Sequence, residues 1–202
     1  MAASKTVSDG TDRRHQLMER LADAIAENGI EGVSIRDLAA RAGVSIGTVQ
    51  YYFSTKTDLL IAAWYHVRDQ AIARFHQSGI DELPPGELLL GFTELLVTPT
   101  PEHRLSRMWL ALVARAAHDP RIAELHREQW QDTEDTLARV LTNANPARTD
   151  ESRDAATELL GLLDGLSIAV VTEPDRVSPE RARRLARAWV RRWLGEDAPA
   201  TR

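Results

Sequence analysis

Apolar residues recur with helical spacing along nearly the whole chain. Leu17, Leu21, Ala24 and Ile25 share one face of a run over residues 11–28, and Asn28-Gly29 supplies a stop. Two short amphipathic runs follow, over residues 35–42 and 46–53. Leu60, Trp64, Val67, Ala71 and Phe75 then form the stripe of a longer run over residues 56–77, closed by Ser78-Gly79. At ~1.5 Å per residue that helix is about 30 Å long. Breaks at residues 81–86, with Pro84-Pro85, and at 98–101 bound helices predicted over 86–97 and 102–117. Pro120 opens a further helix to residue 142, 143–150 reads as a polar linker, and two last helices are predicted over 151–172 and 179–195. No segment alternates as a strand does, and no repeat is visible. The pattern predicts an all-α chain of about nine helices.

The stretch from Ile35 to Lys56, IRDLAARAGVSIGTVQYYFSTK, carries the most information. Leu38, Ala39, Ala42, Val44, Val49 and Tyr52 fall where two crossing helices must touch, and Ala39 is small where the second helix passes closely. Gly43 follows the last apolar residue of the first helix, a position that often needs positive φ. Ser34 and Ser45 stand just before the two helices, where a hydroxyl caps free backbone N–H groups. Two helices joined by a short Gly-containing turn form the helix-turn-helix, whose second helix enters the DNA major groove. An ordinary helical hairpin needs only the Ala42-Gly43 pair and does not account for the joint pattern. In the second helix, Gly47 lets backbone approach DNA, Thr48 can meet a phosphate or a thymine methyl, and Gln50 can pair with adenine through two hydrogen bonds. Ser34 and Lys56 lie at helix N-termini, a natural phosphate position. Tyr52 has a competing assignment to the core, as do Ser34 and Ser45 to capping alone.

These residues carry a family resemblance. Residues 11–60, and above all the run AGVSIGTVQYYFSTKTDLL, resemble the DNA-binding domain of the TetR family of transcriptional regulators. The segment LLDGLSIAVVTEPDRVSPERA is similar to the ligand-binding half of that family's BetI-like branch. The resemblance implies that Thr48, Gln50, Tyr51, Tyr52 and Lys56 contact DNA, mostly at phosphates. It also implies that the helix beginning at Lys56 swings to relay ligand binding. Many members carry Tyr where this chain has Gln50, so no operator sequence follows.

Composition narrows the picture. The chain has 202 residues, 43% of them hydrophobic, enough to bury a core, and no cysteine, which excludes disulfides and thiolate metal sites. No apolar run is read as long enough to span a bilayer, the N-terminus lacks the apolar core of a signal peptide, and a cytoplasmic location is expected. Net charge is −5. Residues 1–56 hold seven basic and seven acidic residues, so the DNA-reading part is neutral and the remainder carries the deficit. Affinity must come from a few placed cations, hydroxyls and helix ends, multiplied by dimerisation.

Trp64, Phe92, Met108, Trp109, Leu112 and Trp130 are candidates for a small-molecule pocket, each with a plain core assignment beside it. Asp164 interrupts the apolar run 159–171 and needs a partner, read as structural ahead of a cationic ligand. The six histidines are scattered; none pairs at three- or four-residue spacing, so no metal site is expected, and His103 and His118 are only minor pocket candidates. Apolar residues cover much of helix 151–172, which points to a second partner beyond the core. A homodimer interface is therefore expected at Leu159, Leu163, Leu166, Val170, Leu185, Trp189 and Trp193. Arg183, Arg187 and Arg191 read as a solvated face.

The expectation is a homodimeric DNA-binding regulator, read as a repressor that a small-molecule effector releases from a palindromic double-stranded operator. Residues 1–10 and 196–202 are expected to be disordered tails, 11–55 the helix-turn-helix domain, and 56–195 a ligand-binding and dimerisation domain. No cofactor is implied. Nothing is spaced as a catalytic pair or phosphate loop, which ranks a helical enzyme low, and a protein-interaction module ranks low with it.

Overall fold

The computed structural model describes residues 3–97 and 104–196, with side chains from residue 13 onward. The described elements are α1 (Ala3–Asn28), α2 (Ile35–Ala42), α3 (Ile46–Tyr52), α4 (Lys56–Gln77), α5 (Pro85–Val97), α6 (Arg104–Ala116), α7 (Pro120–Ala144), α8 (Ser152–Thr172) and α9 (Pro179–Leu194), with short 3-10 turns at Ile80–Glu82 and Pro146–Glu151. Among the described residues there is no strand, so the all-α expectation holds. The helix α1 begins at Ala3, where the sequence pattern had placed a disordered tail and a start at residue 11. The expected polar linker at 143–150 winds largely into the second 3-10 turn, opened by Pro146. The second expected tail, 196–202, lies outside the described residues except for Glu196.

Two compact units emerge. One holds residues 3–70 and 104–126; the other holds 71–97 and 127–196. In the first, α1, α2, α3 and the start of α4 share a core with α6. Leu17, Leu21, Leu38, Val49 and Phe53 are buried there, with Leu59 and Leu60 of α4 and Met108 and Leu112 of α6. Arg104 fastens α6 to α1, donating to Asp23 at 2.8 Å and to the Glu19 carboxylate. Arg121 reaches Asp58 of α4 at 3.2 Å.

In the second unit, α8 lies along α5 and α9. Leu159, Leu163, Leu166 and Val170 are buried in the core with Leu137 and Leu141 of α7 and Val190 and Trp193 of α9. The Trp193 indole donates to the Leu141 carbonyl at 3.1 Å, and Asn145 donates to the Trp193 carbonyl at 2.6 Å. These bonds seat the end of α9 against the end of α7.

Two expectations change. The run Pro146–Thr172 is long and apolar enough, by length and composition, to cross a membrane, with a mean hydropathy of 1.5 in its 18-residue window. The reading that no run approached that length was therefore incorrect. A core helix meets the same test when apolar over much of its girth, and 44% of this window is buried inside the chain. The same girth explains the second change. Much of the width of α8 that pointed to a partner is covered within the chain, in the core that α5, α7 and α9 share, while Gly161 and Gly165 are left exposed and Leu162 half-buried.

Candidate nucleic-acid interface

The local chemistry of residues 34–56 builds a helix-turn-helix. Ser34 caps α2 by accepting the Asp37 N–H at 3.1 Å. Gly43 takes φ +64°, ψ +34°, the left-handed region, and its N–H turns back to the Ala39 and Ala40 carbonyls. Val44 also donates to the Ala39 carbonyl, at 3.0 Å, which ends α2 sharply. Ser45 caps α3, accepting the Thr48 N–H at 3.0 Å and sharing a 2.8 Å hydrogen bond with the Thr48 hydroxyl. Val49 and Phe53 anchor α3 in the core, so its opposite face is turned to solvent.

That face carries Ile46, Gly47, Gln50 and Tyr51, with Tyr51 82% exposed and its polar tip unencumbered by core packing. A Cβ at Gly47 would meet nothing closer than the Ser45 hydroxyl at 3.7 Å, so the backbone there is open to close approach. Thr48 is half-buried with its hydroxyl engaged by Ser45. Tyr52 is half-buried, packs against the core and meets Tyr51 edge-on at 5.0 Å between ring centroids. Lys56 opens α4, and its ammonium lies 3.4 Å from the Glu31 carbonyl and 3.8 Å from the Glu31 carboxylate.

Sequence reasoning missed two neighbours. Thr55 accepts the Asp58 N–H at 3.1 Å and so caps α4. Arg36 is exposed on α2, between the core positions Ile35 and Leu38, and that spacing alone marked it as outward. Arg41, by contrast, is tied to Glu27 at 2.7 Å and Asp37 at 3.0 Å.

The pattern of these contacts agrees with two family models. The "Bacterial regulatory proteins, tetR family" model matches residues 17–63, and the "BetI-type transcriptional repressor, C-terminal" model matches residues 85–195. The chain belongs to the TetR family of transcriptional regulators. The regulator PksA of Bacillus subtilis (strain 168) is 30% identical to it over 196 residues, covering 96% of this chain and 95% of PksA. A transcriptional regulator of Rhodococcus sp. Rha1 superposes with a TM-score of 0.81 at 30% identity, over 92% of this chain and 99% of that one. Another, from Saccharomonospora viridis in complex with choline, superposes with a TM-score of 0.76 at 26% identity, over 89% and 96% of the two chains. These relatives are regulators and not enzymes.

The expected pocket residues of this TetR regulator fall in both units. In the first, Trp64, Met108 and Leu112 are buried core side chains, Trp64 meets the His126 ring edge-on at 5.6 Å, and Trp109 is half-buried. In the second, Phe92 is half-buried and meets Phe75 edge-on at 6.3 Å. The Trp130 indole donates to Asp164 at 3.1 Å, which supplies the partner that carboxylate required. Burial nevertheless pushes the Asp164 carboxyl up to about 6, against the opposing effect of that bond. His103 lies outside the described residues, and His118 is exposed.

Of the expected interface residues, Leu159, Leu163, Leu166, Val170 and Trp193 are buried within the chain's own core. Leu185 is 42% exposed and Trp189, stacked on Trp193 at 6.2 Å, is half-buried. The outer side of α8 is left with Gly161, Leu162 and Gly165, and a Cβ at either glycine would meet nothing within 4 Å. On α9, Arg183 pairs with Glu180 and Arg187 with Glu94, as befits a solvated face.

Proposed function

We propose that this TetR regulator is a homodimeric repressor whose hold on a near-palindromic operator is weakened by a small molecule bound in its C-terminal helices. The observation that carries the DNA-reading half is the α3 face: two capped helices, a left-handed Gly43 between them, and Gln50 and Tyr51 presented outward. On that face Gln50 is assigned to base reading, and Gly47, Tyr51, Lys56 and the capped helix ends at Ser34 and Ser45 to the backbone. Thr48 and Tyr52 act by positioning as well as by contact, since one is bonded to Ser45 and the other packs on the core.

Dimerisation is assigned to the outer strip of α8 at Gly161, Leu162 and Gly165, extended by Leu185 and Trp189 of α9. Small residues there let a partner helix approach closely. For the effector, Asp164 beside Trp130 supplies a carboxylate and an aromatic face in otherwise apolar surroundings. That is chemistry a cationic headgroup would take, as choline offers. The choline complex of the S. viridis regulator supports this class and no particular ligand.

The test is fluorescence anisotropy of the purified protein on its own upstream DNA over a range of salt. Log affinity should fall with log salt at about 0.9 per phosphate contact. Flat salt dependence, or no binding to any upstream fragment, would remove the DNA-reading assignment. A thermal-shift series with choline tests the effector arm. A rise in Tm that Asp164→Asn loses supports it, and no rise rejects this class.

A further inference from the structure

His15 and Glu19 lie one turn apart on α1, and His66 of α4, distant in sequence, meets them. Their ligating atoms all fall within 4.8 Å of one another. His66 is only 8% exposed, and its Nε2 stands 3.2 Å from a Glu19 carboxylate oxygen without a hydrogen bond of acceptable geometry. That separation matches the ~3.3 Å edge of a tetrahedron built on ~2.0–2.1 Å metal–ligand bonds. The His15 and His66 rings are tilted by 53° with centroids 5.7 Å apart, so two imidazoles converge without stacking.

Two features favour a cation over an accidental cluster. The other Glu19 oxygen accepts from Arg104, which Asp23 holds in turn. A carboxylate braced in this way is fixed in orientation toward whatever its free oxygen binds. His15 is exposed, which leaves an entry path and room for water at a fourth position.

We propose that His15, Glu19 and His66 form a three-ligand site for a divalent transition cation of the zinc class. Two imidazoles and a carboxylate suit zinc, cobalt or nickel, and the lack of six oxygens disfavours magnesium or calcium. The site lies wholly in the unit that contains the DNA-reading helices, and it does not depend on the effector assigned above. A bound ion would tie α1 to α4.

The test uses the full chain stripped by chelator and dialysed against Zn2+, with Co2+ as a spectroscopic stand-in. One Zn2+ per subunit is expected, with visible Co2+ bands of tetrahedral strength and a rise in Tm on adding Zn2+. His15→Ala, an exposed change that spares the fold, should weaken Zn2+ binding by more than about tenfold. His66→Gln should do the same while keeping a polar group in the buried position. His118→Ala, at an exposed histidine outside the cluster, should leave binding unchanged. Failure of the native chain to retain Zn2+, or equal retention by His15→Ala and His66→Gln, would overturn the proposal.

Discussion

Replacing Asp164 by Asn should stabilise the protein, and by an amount that depends on pH. The carboxyl sits on α8 with the Trp130 indole as its hydrogen-bond donor, and burial raises its pKa from the ordinary 3.8 to about 6. A group whose pKa is raised on folding contributes fully below its unfolded value and loses that contribution as pH climbs to the folded one. The native chain should therefore lose stability, relative to the Asn variant, between about pH 4 and pH 6. At about 1.4 kcal/mol per pH unit, the full difference is about 3 kcal/mol. Asp164 is only half-buried, and solvent screening reduces the expected gain to about 1–2 kcal/mol. Asn keeps an oxygen to accept the indole N–H, so the substitution removes charge with little change of shape. Urea unfolding of both proteins at intervals from about pH 4 to pH 8 measures the difference directly. The gap should widen with rising pH and level off above the folded pKa. A gap that stays constant, or one that narrows toward pH 8, would refute burial as the cause.

Lys56→Ala should weaken binding to every duplex alike and reduce the salt slope by about 1, measured by anisotropy on specific and scrambled DNA. Gln50→Ala should relax discrimination at one base position by about 1–3 kcal/mol, and equal loss across all operator variants would show that Gln50 does not read a base. Gly43→Ala should cost about 1–2 kcal/mol in thermal or urea unfolding, because the obstacle at φ +64° is the backbone and not space. Gly47→Ala should instead leave stability equal or up to about 1 kcal/mol higher while weakening DNA binding, since its Cβ fits but occupies the approach to the duplex.

Much of the fold was legible because local signals agreed with tertiary need. Ser34, Gly43 and Ser45 each announce a helix boundary by backbone chemistry that packing does not override, and α2 and α4 have the bounds that the pattern predicts. The caps at Ser34 and Ser45 could be read from sequence for the same reason, and each is made as expected. What eluded the sequence was pairing across helices. Periodicity shows that α8 is apolar on several sides, yet it cannot say whether a second chain or α5, α7 and α9 cover them. By sequence Trp193 shares the apolar stripe of Trp189 and reads as part of a homodimer interface. Its place inside the core depends on the Leu141 carbonyl, 52 positions away. The His15–His66 encounter is invisible to any rule about spacing within one helix.

The charge balance of the DNA-reading part bears on how it can bind at all. Several cations of the first unit are engaged: Arg41 with Glu27 and Asp37, Lys56 with Glu31, and Arg104 of α6 with Glu19 and Asp23. These pairs are not equivalent. The Lys56–Glu31 pair is long, at 3.8 Å, and both partners are exposed, with side chains 41% and 78% accessible. Exposed pairs of this kind contribute about 0–1 kcal/mol, so a DNA phosphate can displace Glu31 at little cost. Arg104 is more enclosed and holds two carboxylates at once, which suits it to fastening α6 to α1 and not to meeting DNA. Among the described residues, the loosely held Lys56, the exposed Arg36 and the open helix ends are then available for phosphate contact. Few contacts would give one subunit a shallow salt slope. In the proposed dimer, two subunits on one operator would double both the charge contacts and the reading assigned to Gln50. The neutral charge of residues 1–56 is thus an argument for the proposed dimer, since it leaves a single subunit little charge with which to hold DNA.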